Sequence, residues 1–128
     1  MSVLKQSYTN VVRMISGVES AFLNAGLVCD IIVCCEETQH TVRWDGYRGH
    51  FYVYDEDAKR FVDWKDPREP LWACAIANNV SVLYQRSKEK TQNNIRALKD
   101  ASKALSLFLS PDEDDQPNSQ SPQEQPVQ

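Results

Sequence analysis

Any chemistry in this chain has to come from two histidines, four cysteines and a scatter of carboxylates. Cys34 and Cys35 are adjacent, with His40 and His50 following. A closed zinc site needs four converging N or S ligands, and adjacent cysteines on a strand point to opposite faces. That set is one ligand short, and no C-x-x-C spacing involving Cys29 or Cys74 supplies another. The sequence therefore predicts no metal and no cofactor. A catalytic thiol needs a lowered pKa in an electropositive place, whereas Glu36 and Glu37 directly after the pair act the other way. Asp45, Asp55, Glu56 and Asp57 fall in turn-like stretches, where capping and solvation are the ordinary roles of an acid. Asp30 differs, because it interrupts an apolar run and needs a partner there; Arg43 is the expected one. No phosphate-binding glycine loop, G-x-S-x-G or H-E-x-x-H pattern occurs. The reading is of a chain that is not an enzyme.

The histidines sit in an aromatic stretch, HTVRW DGYRG HFYVY DEDAK RFVDW, over residues 40–64. It reads as three five-residue strands joined by two five-residue turns. Asp45-Gly46 and Gly49 suit positive φ in the first turn, and Asp55 and Asp57 suit Asx contacts in the second. Equal turns place Trp44 opposite His50 and His50 opposite Trp64. Tyr52 then faces Val42 and Val62, and Tyr54 faces His40 and Arg60. With a side-chain period of two, all nine share one face. Trp44, His50, Tyr52, Tyr54 and Trp64 are thus the candidate binding residues, able to grip a partner or ligand. The opposite face receives Thr41, Arg43, Phe51, Val53, Phe61 and Asp63. The middle aromatic row is expected under a helix, with Trp44, His50 and Trp64 at a rim.

Other elements must position these strands. Residues 4–25 carry an amphipathic stripe of Leu4, Tyr8, Val11, Ile15, Val18 and Phe22, with Gly26 at the C′ position. Gly17, which weakens a helix by roughly 1 kcal/mol relative to Ala, is expected at a close helix–sheet contact. Residues 27–35 are apolar on both faces and predict a central strand. Pro70 opens a helical region with two stripes: Trp72, Ile76, Val80, Leu83 and Tyr84, then Ile95, Leu98, Leu105, Phe108 and Leu109. The polar stretch between them predicts either two helices meeting near residues 86–92 or one long broken helix with a solvated middle. Two are preferred, because a single helix of about 40 residues would extend roughly 60 Å. The fold class is α+β: an N-terminal helix, a four-stranded antiparallel β-meander, two C-terminal helices and a disordered acidic tail. The order of elements resembles cystatin-like and secretion-chaperone layouts, in layout only.

The 128 residues divide on this reading into a single domain, 1–110, and a tail, 111–128. The net charge of −4 is segregated: five of the 18 acids lie in the tail, leaving 13 against 14 bases in the body. Arg86, Lys88, Lys90, Arg96, Lys99 and Lys103 form a basic segment with possible nucleic-acid contacts. No apolar run approaches the ~20 residues of a bilayer span, and the first residues lack a signal-peptide pattern; a cytoplasmic protein is expected. The first helix and the Trp72–Tyr84 stripe are expected on opposite sheet faces. That leaves the interface stripe Ile95, Leu98, Leu105 and Phe108 to pack on its own copy in a homodimer or on another protein. The function expected is a non-enzymatic intracellular protein-binding module: an adaptor, inhibitor or assembly factor. Two alternatives stand beside it. One is a nucleic-acid binder using the basic segment and the aromatic rim. The other is a small-ligand or catalytic pocket lined by Trp44, His50, Tyr52 and Trp64.

Overall fold

The computed structural model of the chain describes residues 2–110. Its elements are α1 (Val3–Asn24), β1 (Asp30–Cys35), β2 (His40–Asp45), β3 (His50–Asp55), β4 (Arg60–Asp63), α2 (Pro70–Asn78) and α3 (Val80–Leu109). This is the α+β architecture expected, and the expected tail lies outside the described residues. Among the described residues no helix is long and apolar enough to cross a membrane. The described residues fall into two units, divided between Gln92 and Asn93.

α1 has a cap at each end. Ser2 Oγ accepts the Lys5 N–H. At the other end Gly26, at φ 75°, donates to Leu23 O and Leu27 donates to Phe22 O, a complete Schellman arrangement. Leu27 and Phe22 are both buried, which supplies the apolar contact that accompanies the motif. Gly17 has nothing near its missing side chain, so the close contact expected there does not occur.

The strands form an antiparallel sheet in the order β1-β2-β3-β4. All three hairpins close through four-residue turns whose last residue has positive φ: Gln39, Gly49 and Lys59. The five-residue turns read from the sequence were each one residue too long. Asp45 and Asp55 belong to the strands, and each folds its carboxylate back over the turn. Asp45 Oδ1 accepts the N–H of Tyr47 and Arg48, and Asp55 Oδ1 those of Asp57 and Ala58. Gly46 is required for space and not for φ: a Cβ there would overlap the backbone of Leu27 and Cys29.

That single residue reverses β3 relative to its neighbours. Asp45 pairs with His50 and Trp44 with Phe51; Tyr52 pairs with Asp63 and Val53 with Val62. The inner face therefore gathers Val33, Val42, Trp44, Phe51, Val53 and Trp64, while His50, Tyr52 and Tyr54 turn outward. Energetics favour this choice. Burying a large aromatic ring removes ~150–250 Å² from water, worth about 4–6 kcal/mol at ~25 cal/mol/Å². The observed register buries two tryptophans and a phenylalanine together, and of the β3 side chains it leaves outside those with polar tips, His50, Tyr52 and Tyr54.

Ile15 and Phe22 of α1, Ala73 and Ile76 of α2, and Leu83 at the start of α3 all pack on that same inner face. The expectation of one helix on each sheet face is thereby corrected. β1 is likewise an edge strand and not a central one. Two helices do meet at a break, but at Asn79; the polar stretch 86–92 lies within the continuous α3, as the alternative of a solvated middle had it. Asn79 returns its side-chain amide to Ala75 O and its own carbonyl accepts the Leu83 N–H, so one residue ends α2 and leads into α3. The second unit, as described, is the end of α3; Ile95, Leu98, Leu105 and Phe108 are exposed on it.

Candidate functional site

With the helices of the first unit on one side, the other face of the sheet presents Ile32, Arg43, Tyr52, Tyr54 and Phe61. Arg43 is its centre. The guanidinium holds Asp30 through two hydrogen bonds of 2.7 and 2.9 Å, reaches Asp45 at 3.8 Å and stands 5.3 Å from the Phe61 ring centroid. The ion pair expected between Asp30 and Arg43 is thus present, and these hydrogen bonds hold Arg43 above the ordinary arginine pKa against the opposing effect of burial. Tyr54 meets Phe61 edge-on at 5.4 Å, and Tyr52 meets His50 edge-on at 5.1 Å. Ile32, 51% exposed, adds an aliphatic patch on the β1 side.

At one end of this face lies a chain of three titratable groups. β4 stops pairing at Asp63, so the Phe51 N–H beyond it has no strand to meet. Glu19 of α1 fills the gap. Its Oε2 accepts from Phe51 N at 2.8 Å, from Trp64 Nε1 at 3.2 Å and from His50 Nδ1 at 2.8 Å. His50 Nε2 is 3.1 Å from Asp63 Oδ1. Hydrogen bonding to Glu19 raises the His50 pKa above its ordinary value, burial opposes this, and Asp63 adds to it. Both ring nitrogens are engaged, so the imidazole acts as a bridge between two carboxylates and not as a free base. What the arrangement does chemically is tie α1 to the end of the sheet.

The residues proposed from the sequence are separated by the register. Trp44 and Trp64 are fully buried, with their indole N–H groups donating to Leu27 O and Glu19. They lie in the core and not at the rim where the sequence placed them. His50, Tyr52 and Tyr54 remain on the open face. Because Trp44 and Tyr52 lie on opposite faces, Trp44, His50, Tyr52 and Trp64 do not line one pocket. The basic segment is shared between the units. Arg86, Lys88 and Lys90 belong to the first, where Lys90 Nζ donates to Asp30 O at 3.1 Å. Arg96, Lys99 and Lys103 belong to the second, where helical spacing places them opposite Leu98 and Leu105.

Sequence reasoning missed Glu19. The signal was present: an acid four residues after Ile15 and three before Phe22 occupies a position of the apolar stripe itself. It missed Phe61 as a surface residue because the assumed register placed Phe61 beside Phe51 and Val53. Comparison of the chain with known protein families, with curated proteins and with solved structures found no match.

Proposed function

We propose that this chain is a non-enzymatic, cytoplasmic protein-binding module, an adaptor, inhibitor or assembly factor, that receives its partner on the outer face of the sheet. One observation carries the reading: the helices packed in the first unit share the inner face, leaving Ile32, Tyr52, Tyr54 and Phe61 grouped around Arg43 outside. Tyr and Arg dominate the energetics of protein interfaces, where their broad side chains bury area at low entropic cost. Asp30, Asp45 and Asp63 surround this patch, so it favours a protein surface over phosphate. The exposed stripe Ile95, Leu98, Leu105 and Phe108 of the second unit is a further protein-contact surface of the same module.

The test is capture with the full chain as bait, in parallel with a Tyr52→Ala/Tyr54→Ala variant. A partner held by the first is identified, purified and measured against both. The expected result is an affinity loss of about thirtyfold or more in the variant, the effect of truncating a hot spot. Equal affinity for both forms would remove the outer face from the proposal.

A further inference from the structure

The edge strand β1 carries a second surface, made by its backbone groups, beside the outer face to which the Ile32 side chain belongs. Within an antiparallel strand the N–H and C=O of one residue point to the same side, and the sides alternate along the chain. Cys29 O accepts from Gly46 N beside β2, whereas Asp30 O accepts from Lys90 Nζ on the other side. Ile31, Val33 and Cys35 therefore complete the ladder with β2, and Ile32 and Cys34 direct their backbone groups outward. Among the described residues these outward groups have no backbone partner. Sheet edges left open in this way are templates for another strand. Alongside runs a groove of about 340 Å³ lined by Val33, Cys34, Glu36, Glu37, Val82 and Arg86, among others. Lys90 stands over the N-terminal end of the strand, and Glu36 and Glu37 follow its C-terminal end.

We propose that β1 pairs antiparallel with β1 of a second copy about a two-fold axis through Val33, joining the two sheets into one. In that register Ile32 of each copy faces Cys34 of the other, and each such pair exchanges both backbone hydrogen bonds. Charge selects a second copy as the occupant. The edge is acidic at one end and basic at the other, so antiparallel self-pairing brings Glu36 and Glu37 of each copy to Lys90 of the other. The Lys90 amine then exchanges Asp30 O for a Glu36 carboxylate, and the Glu36 backbone N–H takes the vacated carbonyl. The Asp30 carboxylate beside it is already neutralised by Arg43. The contact is isologous, as two-fold pairing requires.

Sedimentation equilibrium of the full chain tests this. The expected result is a reversible approach to twice the 14.6 kDa chain mass as concentration rises. Ile32→Pro removes an outward N–H without touching the β2 ladder, and weakens association by about tenfold or more. Lys90→Glu weakens it through acid facing acid, and Lys90→Glu/Glu36→Lys/Glu37→Lys restores it. Should Ile32→Pro fail to fold, the charge series decides alone. Leu105→Asp/Phe108→Asp leaves this association in place. A wild type that stays monomeric at every concentration overturns the proposal, as does capture of a foreign peptide at this edge by a monomeric chain. So does a dimer indifferent to the β1 variants, or one lost in the Leu105/Phe108 variant.

Discussion

At the start of β3 the Phe51 N–H would be an unpaired donor under buried rings, and Glu19 accepts it across from α1. Replacing Glu19 with Ala strands that N–H and the Trp64 indole N–H together. Leaving buried donors unsatisfied costs ~1–3 kcal/mol each, so Glu19→Ala should lower unfolding free energy by about 3 kcal/mol in urea titration. Glu19→Gln, which keeps one acceptor oxygen, should lose clearly less. His50 adds a pH dependence. Its folded-state pKa is raised, so its contribution is fully present below the unfolded value of ~6.5 and is lost as pH rises through the folded value. The groups facing it are Glu19 on α1, Asp63 on β4 and Asp45 across the β2 pair. The stability advantage of the native chain over His50→Asn should therefore be larger near pH 6 than near pH 9. An equal advantage at both would show that His50 acts by packing alone.

Among the elements, the three hairpins solve one turn problem with different residues at the left-handed position. Glycine occupies it in the middle hairpin, at φ 68°, and lysine in the last, at φ 54°. A residue with a Cβ is strained there by roughly 1 kcal/mol, so Lys59→Gly should raise the midpoint of thermal unfolding. Gly46→Ala should do the opposite, by about 2 kcal/mol or more, because the atoms its Cβ meets are backbone and cannot rotate away. In the second unit the stripe is amphipathic, with exposed Leu98, Leu105 and Phe108 on one side and Arg96, Lys99 and Lys103 on the other. Leu105→Asp/Phe108→Asp should keep the helical circular dichroism of the native chain and lose only partner binding. Loss of the fold instead would make those residues structural.

For the whole molecule, charge distribution argues against the nucleic-acid alternative. The bases divide between two units, Lys90 is engaged with β1, and the aromatic face is ringed with aspartates. Single-stranded oligonucleotides should not bind at physiological salt; salt-sensitive binding lost in Lys99→Ala/Lys103→Ala would reverse that judgement. The sequence by itself determined the element order, because strand period, helix stripe, Gly26 and Pro70 are local signals of local backbone geometry. It also determined the Asp30–Arg43 pair, since a strand acid needs a base within reach. Only tertiary structure decided the register. Asp45 and Asp55 have turn composition yet sit at strand ends, and composition alone does not separate a four-residue turn from one of five. The difference is settled by which side chains the core can bury, and it sends Trp44 and Trp64 inward while Tyr52 and Tyr54 stay out. Likewise β1 is apolar on both faces whether it is central or at an edge. Its place is decided by tertiary packing: α1, α2 and the start of α3 share the inner face of the sheet, and among the described residues β1 pairs with β2 alone.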